Sequence, residues 1–149
     1  MRFVLDTNVV LSGLLWQGTP YRLLLRIRSQ QSSLQLYSSP VLLEELTDVL
    51  SRTALSQRLS SIGKTAREVL ADYIELIELI EPIDTPRVAR DPDDDHVLAC
   101  ALAAKADLII SGDKDLLDLG AHQGISIVTA VQALQRLEPA GPTEKEQKS

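Results

Sequence analysis

Residues 107–117 read DLIISGDKDLL, and this stretch decides the fold. Leu108, Ile109 and Ile110 form a short apolar run bounded by Asp107 on one side and Ser111-Gly112-Asp113 on the other. Such a run reads as a buried strand that ends in a turn, and Leu116-Leu117 then open a short helix. The same pattern stands at the N-terminus, where Phe3–Leu5 runs directly into Asp6, Thr7 and Asn8. Leu34–Tyr37 and Ile125–Val128 read as two more strands. Gly13, Trp16 and Gly18-Thr19-Pro20 mark a loop after the first strand. A helix is expected from Pro20 to Ser29, with Leu23, Leu24 and Ile27 facing inward. Ser39-Pro40 supplies an N-cap and an N1 proline for a helix to Leu50. Val69, Tyr73, Ile77 and Ile80 keep helical spacing in a long helix over Lys64–Ile80. Asp91 begins an alanine-rich helix to Lys105, and Thr129 caps a last one to Leu137. Strands alternating with helices imply an α/β domain whose mostly parallel sheet is covered on both faces. In such sheets ligands bind beyond the carboxyl ends of the strands, and two of these strands end at aspartates.

The chain has 149 residues, enough for one domain with a sizeable core, here expected over residues 1–137. Apolar residues make up 44% and aromatics only 3%, so Leu, Ile, Val and Ala must fill that core. The tail 138–149, EPAGPTEKEQKS without apolar periodicity, is expected to be disordered. Cys100 is the lone cysteine, which suits a reducing compartment and makes it a small core residue within an alanine-rich helix. No apolar run approaches the roughly 18 residues of a membrane span. MRFVLD reads as strand rather than leader, so a soluble, cytoplasmic protein without membrane contact is expected. The net charge of −6 argues at first against a nucleic-acid partner. Its distribution argues otherwise: Arg22–Arg67 holds seven basic and three acidic residues, whereas Glu68–Asp118 holds four and fourteen. A basic segment beside an acidic one is compatible with a phosphate backbone meeting a metal site.

The acids fall in four places. A carboxylate directly after a buried strand, such as Asp6, is costly unless hydrogen-bonded or paired with a cation. On a wheel of about 100° per residue, Glu44 and Asp48 oppose the apolar stripe of their helix, while Glu45 falls at its edge. Asp91, Asp93, Asp94 and Asp95 exceed what capping of one helix start needs. Asp94 projects into the face of Val97, Leu98 and Ala101, with Asp95 the alternative. After DLIIS, Asp115 suits the helix cap, which leaves Asp113 nearer the strand end. Converging carboxylates raise one another's pKa unless a cation intervenes. Hard oxygen ligands without a His or Cys cluster select Mg²⁺ or Mn²⁺ over Zn²⁺. His96 and His122 stand in no zinc-like spacing and receive no role, and no GxGxxG or P-loop is present.

Three segments in this order, LDTNVVLSGLLWQGTP (5–20), SSPVLLEELTDVL (38–50) and DPDDDHVLACALAAKADLIISGDKDLL (91–117), resemble the PIN-domain family. The likeness is to its VapC-like branch, the toxin components of type II toxin–antitoxin pairs, and extends over residues 1–137. It implies a three-layer, Rossmann-like α/β/α domain and an Mg²⁺-dependent endoribonuclease that cuts RNA phosphodiesters with metal-activated water. The family's acids would fall on Asp6, Glu45, Asp94 and Asp113; Asp93 and Asp95 also align with the third place, of which the wheel turns Asp93 to solvent and leaves Asp95 open, and Asp115 is an accessory. Thr7, Asn8 and Ser111 would be their polar neighbours. The resemblance also implies a homodimer or higher oligomer and an antitoxin whose C-terminal segment fills the active-site groove. Arg22, Arg26, Arg28 and Arg52, with Arg58, are candidates for phosphate contacts, and Trp16 for stacking on a base or on the antitoxin.

Rival readings are weaker. A haloacid-dehalogenase-type, metal-dependent phosphatase needs a second aspartate two residues after the first, and that position is Asn8. A receiver domain would pair acids at the first strand's end, where one stands. A PIN nuclease of RNA processing without toxicity keeps every candidate residue. A non-catalytic RNA-binding or interaction module would keep the fold and lose metal affinity.

Overall fold

The computed structural model describes residues 1–82 and 92–137, the side chain of Asp93 excepted. The first half comprises β1 (Arg2–Leu5), α1 (Thr7–Leu15), α2 (Thr19–Ser29), β2 (Gln35–Ser38), α3 (Pro40–Leu50), α4 (Thr53–Ser61), α5 (Ala66–Leu76) and β3 (Ile77–Leu79). The second comprises α6 (Pro92–Ala104), β4 (Leu108–Ile110), α7 (Lys114–Leu119), β5 (Ala121–His122), β6 (Ile125–Val128) and α8 (Ala130–Leu137). The strands form one sheet in the order β3-β2-β1-β4-β6-β5, parallel except for the hairpin strand β5. The order turns at β1–β4, so β1 leads outward one way and β4 the other. That is the switch point where ligand sites form in such sheets.

Period-2 alternation puts each strand into two cores. Phe3, Leu5, Leu36, Leu108 and Ile110 point to one face and pack against apolar residues of α1, α2, α3 and α5. Val4, Ile109 and Ile127 point to the other and meet Val97, Leu98 and Ala101 of α6 and Leu116 of α7. Helices on both faces of a mostly parallel sheet make the three-layer α/β/α arrangement. Among the described residues no helix is long and apolar enough to cross a membrane.

Three elements differ from the expectation. The stretch after β1 is not a loop: Asp6 caps α1, and Val9, Val10, Leu11 and Leu15 are buried along it. Gly13 there is a packing residue rather than a break. A Cβ at Gly13 would lie 2.6 Å from Leu24 Cδ1 and 3.1 Å from the Pro20 carbonyl oxygen, so glycine is what lets α1 and α2 close together. The helix expected to Ile80 stops at Leu76, and Ile77–Leu79 joins the sheet as an edge strand on β2. Ile77 and Ile80 keep helical spacing while Ile77 and Leu79 keep strand spacing; the Ile80 N–H bond to the Ser38 carbonyl at 2.9 Å extends the strand reading. α4 was not expected, because its serine-rich sequence buries only Leu59. The tail 138–149, Asp91 and the Asp93 side chain lie outside the described residues.

Candidate active site

Strand register creates the centre of the site. Leu5 of β1 pairs with Ile110 of β4, and the Asp6 N–H continues the ladder onto the Ile110 carbonyl at 3.1 Å. Asp6 and Ser111 therefore leave adjacent strands side by side. The Ser111 hydroxyl donates to Asp6 Oδ2 and accepts the Asp113 N–H at 2.9 Å. Asp6 Oδ1 accepts the Val9 N–H at 2.9 Å, which caps α1, and Asp113 Oδ2 accepts the Leu116 N–H at 3.1 Å, which caps α7. The expected cap of α7 was Asp115; Asp113 takes it instead, because the strand ends at Ile110 and the turn reaches helical geometry at Lys114. Both acids thus sit at helix N-termini, where the dipole favours negative charge.

Glu45 arrives from the side. α3 straddles the two cores, with Leu42 in the α6 core and Leu46 and Leu50 in the α5 core. Its edge residue Glu45 consequently faces the sheet end between them. Thr7 Oγ1 donates to Glu45 Oε1 at 3.4 Å, and His96 Nδ1 lies 2.7 Å from Glu45 Oε2. Asp94 comes from the first turn of α6 and is only 9% exposed. Asp6, Glu45, Asp94 and Asp113 line a single cleft of about 420 Å³, together with Thr7, Asn8 and Arg52. Asp95 is not among its lining residues, whereas Asp94 is. Asp48, expected to be solvated, stands at the exposed rim and pairs with Arg52 at 3.1 Å.

Burial pushes the Asp6 carboxyl above its ordinary pKa. The Ser111 hydroxyl and the Val9 N–H oppose that rise, while the charge of Asp113 adds to it. Carboxylates accept hydrogen bonds without donating them, so this set cannot satisfy itself. Asp94, Asp113 and Asp115 can each bring one oxygen within 4.8 Å of the others. Hard donors at that spacing, brought together from the starts of α6 and α7, fit a divalent cation such as Mg²⁺ or Mn²⁺; Asp6 and Glu45 share the cleft but not this closest group.

The remaining candidates divide. Asn8 is exposed at the cleft mouth, and Ser111 is fully buried beneath it. Arg52 lines the cleft, and Arg22 donates to Thr19 Oγ1 at 3.2 Å in the first turn of α2. Arg26 instead ties α2 to the Leu137 carbonyl at 3.0 Å, and Arg28 lines a groove with Tyr21, Lys64 and Asp72; neither lines the carboxylate cleft. Trp16 is half-exposed under Arg58, whose Cζ lies 5.2 Å from the ring centroid. Cys100 is buried, its thiol pushed up to about 12 by that burial, so it is no nucleophile. His96 is the site residue that spacing did not reveal. Its contact with Glu45 depends on how α3 packs against α6, which no local pattern encodes.

A sequence profile described as a PIN domain matches residues 2–115. Among solved structures, a chain of the crystal structure of VapBC2 from Rickettsia felis, bound to a DNA fragment from their promoter, superposes with a TM-score of 0.59. The superposition covers 85% of this chain and 97% of that one at 12% identity, a likeness of fold. No curated protein matches the chain in sequence.

Proposed function

Because this chain belongs to the PIN-domain family, we propose that it is a divalent-metal-dependent endoribonuclease, the toxin of a type II toxin–antitoxin pair. The observation that carries the reading is the convergence of Asp6, Glu45, Asp94 and Asp113, from four separate elements, on one cleft at the switch point of the sheet. These four would hold the cation, with Asp115 as a further ligand from the first turn of α7. A bound Mg²⁺ or Mn²⁺ would polarise the scissile phosphate and lower the pKa of a water.

The chain's own groups set the geometry around it. Ser111 locks Asp6 and the Asp113 backbone into one unit. Thr7 and His96 hold the two oxygens of Glu45. Asn8, at the exposed mouth, would orient an incoming phosphodiester. Arg52 at the rim supplies positive charge to the RNA backbone, as does Arg22 further along. Residues 1–137 act as one domain, located in the cytoplasm. The VapBC2 structure contains a complex on promoter DNA; by analogy an antitoxin protein is the partner here, and a homodimer the working assembly.

Purified protein should cut single-stranded RNA with Mg²⁺ or Mn²⁺ and stop on chelation. Asp6→Asn and Asp113→Asn should be inactive. Equal cleavage by wild type and both variants would defeat the site. Expression should also arrest growth. Cleavage without arrest would favour a PIN nuclease of RNA processing, and metal-independent RNA binding without cleavage a non-catalytic module.

A further inference from the structure

A second cleft, of about 490 Å³, adjoins the carboxylate cleft and shares Asn8 and Asp113 with it. Its volume lies within the roughly 300–1,000 Å³ of small-ligand sites. Its walls come from α1, the start of α2, the β4–α7 turn and the start of α8. We infer that it receives the ribonucleotide next to the scissile phosphate of single-stranded RNA, an inference that rests on the nuclease reading above.

The chemistry of the two clefts is opposite. The first is dominated by carboxylates, which repel phosphate until a cation is held there. In the second, Asp113 is the one carboxylate among the described lining residues, and it belongs to the shared edge. The other polar side chains are the Asn8 amide, the hydroxyls of Ser12, Thr19, Thr129 and the buried Ser111, and the Lys114 ammonium. Amides and hydroxyls both donate and accept, so they match base edges and the ribose 2′-hydroxyl. Lys114 pairs with Asp118 at 2.9 Å, with both side chains largely exposed. Such a surface pair is weak, and its ammonium remains available to a phosphate. The hydrogen bond from Arg22 to Thr19 Oγ1 tethers a guanidinium to one of the lining residues. No aromatic side chain stands among the described lining residues, so hydrogen bonding rather than stacking selects the occupant. An apolar strip ending in Val131, 52% exposed, completes the wall.

Steady-state cleavage of a single-stranded oligoribonucleotide tests this with Val131→Glu, Val131→Lys and Ser12→Trp, all at exposed positions that leave the core intact. The Glu and Trp variants should raise KM about tenfold with little change in kcat, and the Lys variant should lower it. Mn²⁺ affinity, followed by calorimetry, should match wild type in all three. Unchanged KM in Val131→Glu and Ser12→Trp would overturn the subsite and leave the nuclease intact. A fall in kcat at constant KM, or lost Mn²⁺ binding, would overturn it too. A wild type that binds Mn²⁺ yet cuts no RNA would instead break the nuclease reading beneath it.

Discussion

The strand pair β1–β4 carries an aspartate at each end, and the two ends are built differently. At the amino end, Asp107 Oδ2 accepts the Arg2 N–H at 2.8 Å, and the Arg2 guanidinium donates to the Ala104 carbonyl at 2.9 Å. Arg2 also lies over the Tyr37 ring, with Cζ 5.8 Å from its centroid. Both charged residues there are exposed, and each is engaged in a backbone hydrogen bond. At the carboxyl end, Asp6 is 7% exposed and Asp94 9%, and carboxylates face one another across a cleft. One end fastens the sheet; the other concentrates negative charge, which on the proposed reading trades stability for a cation and its substrate.

Removing a ligand from the carboxyl end should break function most. Asp113→Asn is expected to cut RNA cleavage at least ~100-fold, measured as single-turnover rate at saturating Mn²⁺. Truncating the residue that holds a ligand should cost less. His96→Ala is expected to weaken Mn²⁺ affinity or cleavage by about 10–100-fold. His96→Gln, which keeps a donor for Glu45, should recover part of the loss; an alanine variant with wild-type affinity would remove His96 from the site.

Stability should move the other way at this end. Without metal, Asp6→Asn should be more stable than wild type by about 1 kcal/mol. For a domain of this size that is a Tm rise of about 2–4 °C. The sign follows from the raised Asp6 pKa, since the fold holds this proton more tightly than the unfolded chain does. The stabilisation is present below the ordinary carboxylate pKa and is lost as pH rises through the raised value. Metal-free wild type should therefore lose Tm relative to Asp6→Asn as pH rises above the ordinary carboxylate pKa of about 4, and Mg²⁺ should restore it. An Asp6→Asn protein less stable than wild type at neutral pH would contradict the contrast. The smallest effect belongs to the amino end. Asp107→Ala should lower stability by about 0.5–1.5 kcal/mol in thermal unfolding, with RNA cleavage unchanged.

The same contrast explains what could be read before the structure. β1 and β4 were legible because a continuous apolar run ending on a polar turn has few other solutions. α3 was legible from Ser39-Pro40, and its wheel singled out Glu45 because the helix edge is a local property. α1 was hidden because Asp6-Thr7-Asn8 is turn chemistry as well as a helix cap, and because Gly13 serves a close approach visible only in three dimensions. β3 was hidden because Ile77 and Ile80 continue the helical spacing of α5, and the strand pair Ile77 and Leu79 gains meaning only once β2 offers a partner. Asp115 was expected to cap α7 because it stands next to the Leu116-Leu117 run, and the end of β4 at Ile110 gives that place to Asp113 instead. His96 depended on packing between helices, as the second cleft did on the meeting of α1, α2 and α8.

Calorimetric titration of Mn²⁺ into the full chain, alongside Asp6→Asn and Asp113→Asn, addresses the carboxyl end most directly. Saturable binding to wild type, lost or severely weakened in both variants while their circular dichroism stays native, is the result predicted. No binding to wild type, or equal binding to all three proteins, would contradict the assignment of these carboxylates as a metal centre.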